Sequence, residues 1–208
     1  MGSVQSTSAD NILRAVDEFF MNAGPVHNTL RRLARRLAEE RIDYAIIGGM
    51  ALALHGFVRP TQDVDLLMTR EGLERFSESL VGRGYVAAFP GARKHFRDSE
   101  TGVPVEIITT GEYPGDGHPK AVAFPDPATV SVDKGDYSVV SLESLIELKL
   151  TSGLSAEHRR LRDLADVQQL IETLDLPREL AERLHPSIRD EYLHLWQLAH
   201  QARQDRSE

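Results

Sequence analysis

The sequence predicts an α+β fold. A mixed β-sheet with flanking helices is expected over residues 1–140, and a helical C-terminal part packed on it over residues 141–208. Three observations predict it. Over residues 28–40 the apolar side chains Leu30, Leu33, Leu37 and Ala38 recur at the helical period, with Arg31, Arg32, Arg35, Arg36, Glu39 and Glu40 facing outward. From Tyr44 the period breaks into short apolar runs punctuated by glycine and proline, the pattern of strands and turns. From Ser141 to the end the helical period returns without a flexible linker.

Each element has its own signal. Ile12, Val16, Phe19 and Phe20 suggest a short amphipathic helix over residues 10–20. Tyr44-Ala45-Ile46-Ile47 suits a buried strand that ends at Gly48-Gly49, and Met50–Leu54 a short helix closed by Gly56. Gln62–Met68 reads as a second strand. Thr69 is placed to cap a helix over 70–81 that turns Leu73, Phe76 and Leu80 inward. Tyr85–Ala88 is a strand. Lys94–Arg97 and Val103–Thr109 form a hairpin around Ser99-Glu100-Thr101-Gly102. Residues 111–128 are rich in glycine and proline and form a loop that borders the strand carrying Glu106 and is placed to shape a pocket there, and 130–140 adds a further hairpin. Ser141 opens a helix carrying Leu142, Leu145 and Leu148. Leu161, Leu164, Ala165, Val167, Leu170 and Ile171 stripe a second, and residues 178–185 and 187–203 a third and fourth.

Composition narrows the function. The 208 residues carry 32 acidic and 24 basic side chains, a net charge of −8. Wholesale coating of DNA is excluded, because non-specific binding rests on phosphate neutralisation. Cysteine is absent, which removes thiol catalysis and thiolate metal sites. No run approaches the roughly 18 apolar residues that cross a bilayer, and the start, MGSVQSTSAD, lacks the pattern of a signal peptide. That start does fit the loose Met-Gly-x-x-x-Ser pattern for N-myristoylation. The expected setting is a soluble, cytoplasmic one.

The chemistry concentrates in Gly48–Met68. On a strand, residues i and i+2 share a face, so Asp63 and Asp65 point the same way, roughly 6–7 Å apart along the backbone. Two carboxylates so placed repel each other and call for a cation. Magnesium favours carboxylate oxygen together with substrate phosphate. Glu106 is an acid inside the apolar run Val103–Ile108. If its strand neighbours the first, Asp63, Asp65 and Glu106 form a cluster able to hold two metal ions. Gly48-Gly49, between strand and helix, offers bare backbone N–H groups to phosphate. Arg59 and Thr61 lie between and either contact a nucleotide or order the Asp pair.

The series Gly48-Gly49, His55-Gly56, Arg59, Thr61, Asp63-Val64-Asp65 resembles the signature of the nucleotidyltransferase superfamily related to DNA polymerase β, and within it the minimal AbiEii-type bacterial branch. Leu148-Lys149-Leu150 and Arg162-Asp163-Leu164-Ala165-Asp166-Val167 resemble the helical motifs of that branch, so the likeness spans about residues 42–175. The resemblance implies that Asp63 and Asp65 bind Mg²⁺ (or Mn²⁺) and the triphosphate. It implies that Glu106 helps bind metal and acts on an acceptor hydroxyl, that Gly48 and Gly49 cradle phosphate, and that Lys149 reaches the phosphates. The implied reaction moves a nucleoside monophosphate from a nucleoside triphosphate to a small molecule, a tRNA or other RNA, or a protein. A toxin-like role with an antitoxin partner belongs to the same branch.

Two positions depart from the signature. Met50 stands where a serine is common, and Glu106 where aspartate is common. They leave room for a module that binds nucleotide with little or no turnover. A glycosyltransferase using Asp-x-Asp is disfavoured by the upstream Gly-Gly and the later strand-borne acid. Asp163 and Asp166 read as partners of arginines and His55 as structural, while the basic clusters Arg159, Arg160, Arg162 and Arg31–Arg36 read as solvated helix faces ahead of the alternative, seats for RNA or triphosphate.

Overall fold

A computed structural model describes residues 23–205. The expected helix over 10–20 and the myristoylation pattern lie outside the described residues. Helix α1, Pro25–Glu39, starts at a proline and buries Leu30, Leu33 and Leu37. Thr29 and Arg32 on α1 both hydrogen-bond the buried Asp98 carboxylate, which also accepts from the Glu100 and Thr101 N–H groups. Those bonds seat α1 on the turn of a β-hairpin and leave no buried acid unsatisfied there.

Strand β1, Tyr44–Ile47, is buried along its whole length, as its unbroken apolar run requires. Helix α2, Gly48–Leu54, begins two residues earlier than the sequence suggested. Strand β2 is Val64–Met68, so Asp63 stands just ahead of the strand and not within it. Helix α3, Arg70–Leu80, is capped as expected: the Thr69 hydroxyl accepts from the Gly72 N–H at 3.0 Å. Its Phe76 packs against Tyr85 and Phe96 at ring-centroid distances of 5.6 and 4.9 Å. Strands β3, Tyr85–Ala87, β4, His95–Asp98, and β5, Pro104–Thr109, follow. A one-turn helix α4, Pro127–Val130, leads into the hairpin β6, Ser131–Lys134, and β7, Tyr137–Val140.

The seven strands form one mixed sheet in the order β3-β4-β5-β2-β1-β7-β6. β1 pairs antiparallel with β2 and parallel with β7, and β2 pairs parallel with β5. This is the expected α+β architecture.

Helix α5, Leu142–Ser155, is capped by Ser141, whose hydroxyl accepts from the Ser144 N–H. Helices α6, Glu157–Leu174, and α7, Arg189–Asp205, complete the C-terminal part. Leu145, Leu148, Val167, Leu170, Ile171 and Tyr192 join the same apolar core as the sheet residues Ile46, Leu66 and Ile107. Tyr192 and Trp196 dock α7 by donating to the carbonyls of Pro177 and Leu176, each at 3.0 Å.

Two expectations about this part are corrected. Residues 178–188 form two 3₁₀ turns, Arg178–Arg183 and Pro186–Ile188, in place of an α-helix. Pro177 and Pro186 bracket a segment too short to propagate, and a proline disfavours helix in the residue before it. The inward face of α6 is also rotated from its apolar stripe. Leu161 is 87% exposed and Ala165 is exposed, while Asp163 and Asp166 are buried. The reason is electrostatic and is found in the cleft.

Candidate active site

The register of the central strands builds the acidic floor. In the parallel β2–β5 pair, Asp65 lies directly across from Glu106. Both side chains therefore stand on one face of the sheet, while Val64, Leu66, Val105 and Ile107 are buried on the other. Asp63 joins them from the segment before β2. Its Oδ1 accepts from the buried Thr61 hydroxyl at 2.6 Å, which fixes the carboxylate.

The glycines fit this floor closely. Ile47 pairs with Asp65 across β1 and β2, so the chain leaving β1 passes over the Asp65 carboxylate. A Cβ on Gly48 would stand 2.0 Å from Asp65 Oδ2, and Gly48 has φ +64°. A Cβ on Gly49 would meet Thr61 Oγ1 at 2.8 Å. Gly48→Ala should therefore displace Asp65 and strain the backbone, at a cost of about 1–3 kcal/mol. Thermal unfolding checks this, and a melting temperature equal to wild type would show that the contact is slack.

Burial raises the Asp65 carboxyl from 3.8 to about 7, with Asp63 and Glu106 adding to the rise and Lys149 and Arg159 opposing it. The floor thus resists full ionisation of Asp65 at neutral pH.

Across from it, α5 and α6 supply a cationic wall. The floor and wall enclose a cleft of about 490 Å³, lined also by Glu112, Tyr113, Pro114, Gly115 and Phe124 of the 111–126 loop. That loop is closed at its neck by Gly111 N–H donating to Phe124 O and Phe124 N–H donating to Glu112 O, both at 2.8 Å. Glu112 is further held by Lys94 and by the Thr109 hydroxyl at 3.0 Å.

Asp63, Asp65, Glu106, Gly48, Gly49, Arg59 and Lys149 all line this one cleft. Thr61 does not line it and acts from behind, on Asp63. Arg59 makes a bidentate pair with Asp166, Nε–Oδ1 at 2.8 Å and an Nη at 3.0 Å from Oδ2. Lys149 Nζ donates to Asp163 at 2.8 Å and to Asp166 at 2.6 Å. These pairs explain why the acids of α6 turn inward and Leu161 outward: two partly buried cations need them. His55 is remote, its Nε2 2.8 Å from the Val140 carbonyl, and burial lowers its pKa.

Sequence reasoning did not single out Glu112, Tyr113 or His158, and it ranked a solvated face above a triphosphate seat for Arg159 and Arg162, which line the cleft. The arginines have the spacing of a solvated face, and a glycine- and proline-rich loop beside the Glu106 strand does not announce which of its residues face the cleft.

Among the described residues no three His, Asp or Glu side chains form a preformed metal cage. Asp65 is turned beneath Gly48, and Asp63 is engaged by Thr61. The donor chemistry still fits a hard divalent cation, because the ligands are carboxylate oxygens whose mutual repulsion such a cation relieves. Asp63, Asp65 and Glu106 are the residues that would hold it.

A family model described as an uncharacterised nucleotidyltransferase matches residues 3–204. The structure is similar to that of the antibiotic-resistance factor ANT(2″)-Ia in complex with adenylyl-2″-tobramycin, with a TM-score of 0.51 at 15% identity over 79% of this chain and 99% of that one. A candidate nucleotidyltransferase from Thermotoga maritima gives 0.49 at 20% identity over 67% of this chain and 91% of its own. The likeness to ANT(2″)-Ia, at 15% identity, shows the fold alone. No curated protein gives a significant match.

Proposed function

The chain belongs to the uncharacterised nucleotidyltransferase family whose model spans it, and from that premise we propose that it moves a nucleoside monophosphate from a nucleoside triphosphate to an acceptor hydroxyl. The observation that carries this reading is the register that sets Asp65 against Glu106 beneath Gly48, facing a wall of cations. An acceptor oxygen attacks the α-phosphorus, a new P–O bond forms, the bond to the β-phosphate bridge breaks, and pyrophosphate leaves. Glu106 receives or orients the acceptor proton. Magnesium or manganese on Asp63, Asp65 and Glu106 would neutralise the phosphates and the carboxylates together. The chain's own contribution is position: Thr61 sets Asp63, and Gly48 and Gly49 leave room for phosphate against the strand end.

The motifs around Lys149 and Arg162–Asp166 support placement in the AbiEii-type branch. With it come a cytoplasmic toxin-like role, an RNA, protein or small-molecule acceptor, and an antitoxin partner. One observation favours a second reading, binding without turnover: Met50 is buried in the core and puts no hydroxyl in the cleft.

Titrating the four ribonucleoside triphosphates with Mg²⁺ by calorimetry, beside Asp63→Asn/Asp65→Asn, tests the proposal. Metal-dependent binding of at least one triphosphate is expected, and the double substitution should abolish it. Wild-type protein that binds none at millimolar concentration would sink the proposal. Binding with no pyrophosphate released in the presence of RNA, protein or cell extract would favour the second reading.

A further inference from the structure

Four cationic side chains line the cleft: Arg59, Lys149, Arg159 and Arg162. They are not equally available. Arg59 and Lys149 are held by Asp163 and Asp166, and the four groups sum to zero charge. The Lys149 side chain is only 10% exposed, with Nζ donating to two carboxylates. Turning it to a phosphate would break both bonds and strand the buried Asp163, while Asp166 would keep only Arg59. Arg159 and Arg162 differ. Neither guanidinium makes a hydrogen bond or ion pair among the described residues, and both are exposed. They stand three residues apart on α6, so they share a face, and His158 sits one turn before Arg162 on the same lip. The Arg159 charge is already felt at Asp65. Arg160 and Leu161, which lie between them, are exposed and outside the cleft.

We propose that Arg159 and Arg162 grip the β- and γ-phosphates of the bound triphosphate, and that Lys149 is a positioning residue for the helical wall with no phosphate contact. This rests on the nucleotide-transfer reading and sharpens it. A triphosphate needs unpaired cations with donors arranged for phosphate oxygens, and arginine supplies them as a planar fork. With Met50 in place of a hydroxyl, the chain draws that grip from α6 and not from α2.

The test uses two probes, a magnesium nucleoside triphosphate and inorganic tripolyphosphate with magnesium, titrated by calorimetry into wild type, Arg159→Ala/Arg162→Ala and Arg160→Ala. The double variant should weaken both probes by about tenfold or more, to a similar degree, because the lost contacts go to phosphate and not to base. Its melting temperature should equal that of wild type, since neither arginine holds another element. Arg160→Ala should bind as wild type. A double variant that binds both probes like wild type, while wild type itself binds, would overturn this assignment and leave the transfer reading standing. Wild type that binds neither probe would overturn both. Equal weakening by Arg160→Ala would also overturn it, by showing a diffuse charge effect.

Discussion

Replacing Lys149 by methionine should unfold the protein far more readily than the loss of one surface charge would. Lys149 Nζ is the hydrogen-bond partner of the buried Asp163, and it shares Asp166 with Arg59. One Asp163 oxygen is already buried without a partner. Removing the ammonium leaves a buried carboxylate uncompensated, at a cost of about 3–5 kcal/mol. For a chain of this size that is roughly a 10 °C fall in melting temperature. Lys149→Met/Asp163→Leu should recover most of the loss, because an apolar pair replaces a buried ionic one at little net cost. A fall of only a degree or two in the single variant would show that water, not Lys149, satisfies these acids. The same experiment bears on the phosphate grip, since a Lys149 that holds only the fold should lose affinity in proportion to unfolding.

Asp65→Asn should make the metal-free protein more stable at alkaline pH. The sign follows from the raised pKa. The folded carboxyl titrates near 7, against 3.8 for its ordinary value, so folding favours the protonated form. The stability this supplies is fully present below pH 3.8 and is lost as pH rises to about 7. Above that the wild type carries the whole cost of a buried, repelled carboxylate, about 4 kcal/mol. The asparagine variant carries none. At pH 8 its melting temperature should exceed that of wild type by roughly 5–10 °C, and the two should converge near pH 4. Magnesium should raise the wild-type value at pH 8 and leave the variant unmoved. Identical curves across pH would mean that Asp65 is solvated and that its strain is illusory. A stabilised variant that no longer binds triphosphate would show stability given up for chemistry at one residue.

The residues that could be read from sequence are those whose signal is local. Asp63 and Asp65 announce themselves by alternate spacing beside an apolar residue, and Glu106 by standing alone in an apolar run. Their meeting depended on β2 and β5 being neighbours, which the register shows. Thr69 and Ser141 were legible as caps because capping involves three residues at most. The orientation of α6 was not legible. Its periodicity offered Leu161 and Ala165 as inward residues, yet the partners that turn Asp163 and Asp166 inward are Arg59 and Lys149, the former 107 residues from Asp166. That these acids pair with cations was legible, but no local window of sequence picks out Arg59. The loop was legible as a pocket border but its lining was not, for a similar reason: Glu112 and Tyr113 reach the cleft through a neck closed by Phe124. The sheet order likewise depends on pairings between distant segments.

The place of β1 has a consequence for synthesis. It sits inside the sheet, yet its two partners leave the ribosome at very different times. β2 follows directly and β5 soon after, whereas Val139, which pairs with Ile46, arrives only after the loop and the β6 turn have been made. Until then one edge of Ala45-Ile46-Ile47 is an apolar strand with unpaired backbone groups, a template for another chain to zip onto. A fragment that stops ahead of β7 keeps that edge open permanently. Any shortened version made for study must therefore extend beyond Val140, even where only the carboxylate strands are of interest.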